Sequence, residues 1–234
     1  MKKLIGTIVG VGIAVLALAQ EAQESKNRYA QPELPGDLMI DFGFNIMTDA
    51  PPEMGVNFFP SRTFGIYYIQ KFKLNDYFTF NAGLGLTAEK LAFEEELNFQ
   101  EDDDGMISFD TLTDFGSIRS NKLAINYLEL PVEFRYYPFR TVDGEGLFVG
   151  VGGIFGFRME SHTKVKYTLE QENRVQKLRA DFGLSDLRYG LQVRVGLRGI
   201  HAFGKLYFSD LFSETPVEGF NPNFWTFGVS ISGF

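Results

Sequence analysis

The chain has 234 residues, of which 44% are hydrophobic and 22% charged, with a formal net charge of −8. Lys and Arg number 22 against 30 Asp and Glu, so no nucleic-acid partner is expected. Cysteine is absent and the only histidines are His162 and His201, which removes disulfides, thiol nucleophiles and a lipid-bearing N-terminal cysteine and argues against a multi-histidine metal centre. No cofactor is expected.

Residues 1–19 read as an export signal. Lys2 and Lys3 precede an apolar run from Leu4 to Leu18, and Ala17 and Ala19 supply the small residues that a signal peptidase needs. The run is short for a membrane-spanning helix of roughly 20 residues. Residues 20–35 are polar and read as a periplasmic lead-in, and residues 36–234 as one barrel domain.

From there the chain alternates with period two, the mark of half-buried strands. Asp37–Met47 places Leu38, Ile40, Phe42, Phe44 and Ile46 on one face. Thr63–Leu74 places Phe64, Ile66, Tyr68 and Phe72 on one face, and the turn Asn75-Asp76 follows. In Tyr77–Ala88, Phe78, Phe80, Leu84 and Leu86 oppose Thr79, Asn81, Gly83 and Thr87. Lys122–Tyr137 and Gly146–Met159 repeat the pattern. Asp186–Ile200 is the cleanest, with Leu187, Tyr189, Leu191, Val193, Val195 and Leu197 against Arg188, Gly190, Gln192, Arg194, Gly196 and Arg198. Lys205–Phe212 and Asn223–Phe234 are weaker and complete eight strands. Leu169–Leu178 is the one segment that suggests a short loop helix, and His201–Gly204 reads as a turn.

Three features place the apolar face outside, in lipid. The polar face carries Gly, Ser, Thr, Asn and isolated Arg instead of the Lys and Glu that solubilise a surface. Connections alternate between long (48–62, 89–121, 160–185, 213–222) and short, as in barrels with long extracellular loops and short periplasmic turns. Aromatics gather near strand ends: Phe58, Phe59, Phe64, Tyr77, Phe78, Tyr136, Tyr137, Phe139, Phe224 and Trp225. The expected fold is all-β, an eight-stranded antiparallel transmembrane β-barrel of the outer-membrane type, with both termini periplasmic.

The string Tyr127-Leu-Glu-Leu-Pro-Val-Glu-Phe-Arg-Tyr-Tyr137 resembles the fourth-strand motif of the PorT-like outer-membrane β-barrel family. The likeness in layout extends over Gly36–Phe234, with a glycine-rich fifth strand and an arginine-rich sixth. It implies an eight-stranded barrel in the outer membrane of a Gram-negative cell, and some members take part in protein secretion. One departure is that Phe234 falls out of phase with Trp225, Phe227, Val229 and Ile231.

The polar face would enclose Asp41, Lys71, Lys73, Glu129, Glu133, Arg135, Arg158, Arg188, Arg194 and Arg198. A ring of eight strands is just wide enough for side chains to fill it, and buried charges must then pair. An electrostatic plug is the first reading and a narrow ion path the alternative. Ser161 and His162 are adjacent on a strand, point to opposite faces and make no local catalytic dyad. Gln100–Thr111 resembles a calcium loop but lacks its first and twelfth ligands. The glycines of Val149–Gly156 have no helix after them and read as strand glycines, not a nucleotide-binding loop.

The sequence therefore points to a non-enzymatic outer-membrane barrel with a structural, scaffolding or adhesive role. Its expected partners are outer-membrane lipid and lipopolysaccharide, and envelope or secretion-machinery proteins. The alternatives are a narrow pore, a lipid-processing enzyme, and a soluble ligand-binding barrel with its faces inverted.

Overall fold

The computed structural model describes residues 36–50, 54–94, 97–101, 107–111, 117–139, 146–169, 171–197, 199–213 and 222–233. The export signal, the lead-in, Arg198 and Phe234 lie outside them, and Gly36–Gly233 form one compact unit. The named strands are β1 (Gly36–Thr48), β2 (Arg62–Lys73), β3 (Phe78–Ala92), β4 (Leu97–Glu101), β5 (Ile107–Thr111), β6 (Ser117–Tyr136), β7 (Phe148–Leu169), β8 (Glu172–Arg179), β9 (Leu187–Leu197), β10 (Ile200–Tyr207) and β11 (Asn223–Ser232).

The main sheet has nine strands in the order β6-β3-β2-β1-β11-β10-β9-β7-β8, and β6 also pairs with β7. Pairing thus returns on itself through every strand but β8, and every pairing is antiparallel. A closed ring satisfies backbone groups that an open edge would leave bare. β8 pairs along the far half of β7, from His162↔Arg179 to Leu169↔Glu172. β4 and β5 form a separate two-stranded sheet.

Three expectations change here. Leu169–Leu178 is not helical: Leu169 ends β7 and residues 172–178 belong to β8. The extended upper half of β7 offers a ladder of backbone partners that one helical turn would forgo. His201–Gly204 is not a turn but part of β10, and Ile200 pairs with Leu197. The reversal falls between Leu197 and Ile200, and Gly199 adopts φ +79°, a conformation tight hairpins demand. Gln100 and Thr111, the ends of the calcium-like stretch, lie in the paired strands β4 and β5, while residues 102–106 are outside the described residues.

Asn75 makes the β2–β3 turn as read, its side-chain oxygen accepting backbone N–H bonds from Tyr77 (2.8 Å) and Phe78 (3.0 Å). The extra length of the strands lies beyond the expected loops' edges: β3 runs past Ala88 to Ala92, and β6 starts at Ser117.

The two faces separate strictly in β9. Leu187, Tyr189, Leu191, Val193, Val195 and Leu197 are exposed, while Arg188, Gln192 and Arg194 are buried. Leu187 to Leu197 covers about 33 Å at about 3.3 Å per residue. At a strand tilt of about 40° that spans a height of about 25 Å, the thickness of the apolar band on outer-membrane barrels. Aromatic clusters flank it. Phe78 and Tyr136 meet at 5.1 Å at the short-turn end, and Phe44, Phe58 and Phe227 stack at the opposite end. Two aromatics expected in such girdles point inward instead. Tyr137 packs on Phe148 and Phe224 on Tyr207, because their strand phase belongs to the inner face.

Candidate functional site: the charged interior

Alternation sends one residue in two into the ring, and seven of its strands contribute polar groups to one network. β1 supplies Asp41, β2 Tyr67, β3 Thr87 and Glu89, and β6 Glu129, Glu133 and Arg135. β9 supplies Arg188, Gln192 and Arg194, β10 Lys205 and Tyr207, and β11 Ser230. β7 supplies space. A Cβ on Gly150 would meet Glu133 at 2.6 Å, and one on Gly156 would meet Arg188 at 2.8 Å.

Glu129 is the hub. One oxygen takes Arg188 and the Tyr207 hydroxyl (3.1 Å). The other takes the Tyr67 hydroxyl, the Thr87 hydroxyl (2.7 Å) and the Lys205 ammonium (3.5 Å). Arg188 reaches on to Glu89 at 2.7 Å, and its guanidinium lies 3.5 Å above the Tyr127 ring and 4.3 Å from that of Tyr207. Lys205 also donates to Tyr67 (2.7 Å) and pairs with Asp41 (3.3 Å).

A second group lies toward the short turns. Arg194 grips both oxygens of Asp41 at 3.2 and 3.3 Å, donates to Ser230 and reaches Glu133 at 3.4 Å. Glu133 also binds Arg135 and accepts from Gln192 at 3.3 Å. Four carboxylates (Asp41, Glu89, Glu129, Glu133) thus face four cations (Arg135, Arg188, Arg194, Lys205), so the network is neutral in sum. That balance is what burial demands, since an unpaired buried charge costs several kcal/mol.

Apolar side chains close both ends of this layer. Met39 and Ile69 pack with Tyr67 on one side. On the other, Leu123, Ile125 and Ile154 meet Met54, Phe182, Leu211 and Phe212, which come from outside the ring strands.

Of the residues singled out in sequence, the structure brings Asp41, Glu129, Glu133, Arg135, Arg188 and Arg194 into this network. Arg158 is not part of it: beyond the glycines of β7 its guanidinium binds Asp181 (2.5 Å) and Asp186 (2.6 Å) at the loop end. Lys73 pairs with Asp76 (3.2 Å) at the exposed β2–β3 turn, and Lys71 is half-buried. Arg198 lies outside the described residues. Sequence reading missed Glu89, Tyr67, Lys205 and Tyr207. For Glu89 the signal was present, because it continues the odd-numbered inward phase of Thr79, Asn81 and Thr87.

Neither histidine joins a catalytic set. Ser161 is buried and donates to the Ala180 carbonyl at 2.6 Å, whereas the neighbouring strand position His162 lies beside Glu160 and Arg179. His201 is buried against Phe148 at 5.0 Å, with a ring nitrogen 3.3 Å from the Ser232 hydroxyl.

A ring of antiparallel strands with an apolar wall and a charge-paired interior defines an outer-membrane β-barrel protein. Residues 22–213 match the model of the outer membrane protein beta-barrel domain, and the chain belongs to that family. Among solved structures it is similar to Ail, the attachment invasion locus protein of Yersinia pestis, at 12% identity, covering 85% of this chain and 97% of that one with a TM-score of 0.35. It is also similar to a triple mutant of the Rhodopseudomonas blastica porin, at 10% identity, covering 85% and 99% with a TM-score of 0.22. Both similarities are low, and membership of the family rests on the sequence match. No curated protein matches the chain.

Proposed function

We propose that this protein is a non-enzymatic barrel spanning the outer membrane with eight strands, sealed inside, which acts as a scaffold through surfaces outside its ring. The observation that carries this reading is the interior: Glu129, Arg188, Lys205 and Tyr207 interlock across it, and apolar side chains close the layer from both ends. A conducting path would need an open lumen, and the ion pairs of Glu129 with Arg188 and of Lys205 with Asp41 and Glu129 cross it.

The docking surface in this reading is the β7–β8 hairpin, which continues beyond the β7–β9 pairs and exposes every residue of β8. Within the family, the Tyr127–Tyr137 string supports a PorT-like branch and, with it, docking onto secretion machinery of the envelope. Residues 1–19 are the export signal in this account. Met39 pairs with Ser232, so β1 begins and β11 ends at the short-turn end, which supports periplasmic termini. The inward Ser161 and outward His162 speak against a lipid-processing site.

Planar-bilayer recording on the purified protein tests the sealed interior. A membrane that stays electrically silent after insertion is the expected result. Reproducible unitary conductance steps would replace the scaffold with the pore.

A further inference from the structure

Above the apolar band, the outer faces of β2, β3, β6, β7 and β8 carry cations in successive rows. Register fixes those rows. Arg62 pairs with Lys90, Lys90 with Ala124, Ala124 with His162 and His162 with Arg179. In the next row Lys122 pairs with Lys164 and Lys164 with Lys177. Lys166 lies one step higher, opposite Ser120. Their strand phase is outward, opposite to buried Thr63, Glu89, Leu123 and Thr163.

Like charges directly opposite one another destabilise a sheet. Here Lys122, Lys164 and Lys177 stand in one line across three strands. Lys90, Lys164, Lys166 and Arg62 all lie close enough to repel the Lys122 ammonium. None of Lys90, Lys122, Lys164 and Lys166 forms an ion pair among the described residues. Ala124, a small side chain, sits between Lys90 and His162 in the first row.

Directly below these rows is a groove of about 450 Å³ on the outer wall. Phe64, Ile66, Leu86 and Met159 form its apolar sides, Ala88 and Asn126 leave it open, and Glu160, whose carboxylate is paired with Arg179 at 3.0 Å, lines its edge toward the cations. Its lining meets the first cationic row, since Phe64 pairs with Ala88 two residues from Arg62 and Lys90.

We infer that this wall binds a phosphate-bearing lipid of the outer leaflet, its acyl chain in the Phe64–Met159 groove and its phosphate among Lys90, Lys122 and Lys164. The cations alone would suit any polyanion. Their position immediately over a lipid-facing groove selects an anion that carries its own hydrocarbon. This inference rests on the membrane-spanning reading above.

The test is native mass spectrometry of the full protein in neutral detergent, titrated with bisphosphorylated lipid A, its dephosphorylated form, or inorganic pyrophosphate. The expected result is binding of the phosphorylated lipid at least tenfold tighter than either other probe. The double variant K122Q/K164Q should remove that preference, and A88W, which fills the groove, should weaken lipid binding without creating affinity for pyrophosphate. Equal binding of the two lipids, or no effect of K122Q/K164Q, would overturn the proposal. Pyrophosphate binding as tight as lipid, untouched by A88W, would make the rows a site for soluble polyanions instead. Each variant is also run unboiled on a gel. A retained mobility shift means that the barrel stands even where the lipid site fails, and loss of the shift in the unmutated protein means that the barrel reading itself has failed.

Discussion

Glu129 on β6 and Arg188 on β9 form a buried ion pair across the interior, 59 residues apart in sequence, although β7 lies between their strands in the ring. The pair forms because β7 withdraws its side chain at Gly156, where a Cβ would meet the Arg188 stem at 2.8 Å. Sequence alternation, a glycine and one long cation together make a strut across the barrel.

Removing both ends of that strut should cost less than the two single removals added together. E129A leaves Arg188 and Lys205 without their shared carboxylate, and breaking a buried pair costs about 3–5 kcal/mol. Urea unfolding in detergent micelles should show E129A destabilised by that order. The double variant E129L/R188M, which leaves Glu89 as its remaining anion near Lys205, should lose less than the sum of the two single changes.

Two neighbouring glycines of β7 should respond oppositely. A Cβ on inward Gly152 would sit 1.9 Å from the Val132 carbonyl oxygen, a backbone atom that cannot move alone. A Cβ on outward Gly153 finds nothing nearer than 3.6 Å. G152A should destabilise the barrel by about 1–3 kcal/mol, as overpacking does. G153A should leave the unfolding midpoint within experimental error.

The outer wall gives a depth-dependent test. Val193 is at the middle of the apolar band on β9 and half-exposed, while Val175 is similarly exposed on β8, beyond the β7–β9 pairs. V193R should cost about 2–4 kcal/mol, the penalty for arginine near a bilayer midplane. V175R should be neutral. Equal effects at the two sites would place the membrane elsewhere.

The ring should not need β8. β7 pairs with β9 from Phe148↔Gly196 to Phe157↔Leu187 without it, and Thr163 faces Leu178 across the hairpin. Replacing residues 164–177 with Asn-Gly should give a protein that still folds in lipid and retains its gel mobility shift. It should lose the docking and lipid-phosphate functions assigned to the removed segment.

The parts of this architecture legible in sequence were those whose two faces differ sharply. Leu187–Leu197 was readable because every outward residue meets an apolar band and every inward one is Arg, Gln or Gly. β10 was not, because its inward residues include Phe203 and Tyr207 and its outward ones Ala202 and Gly204, so polarity does not separate the faces. That ambiguity moved the turn to Gly204 and hid Lys205. Glu89 was lost for a different reason: above the apolar band the outward residue becomes Lys90, and the strand no longer looks amphipathic although its backbone ladder continues to Ala92. The pairing of Glu129 with Arg188 was beyond any period-two reading, since it depends on strand order around the ring.

Heat-modifiability after cell fractionation tests the central claim most directly. The account predicts that the protein is extracted from the outer membrane only with detergent and migrates faster on a gel unboiled than boiled, as a closed ring that resists detergent would. A species that stays in the soluble periplasmic fraction with one mobility under both conditions would contradict it, and would put the apolar wall on the inside.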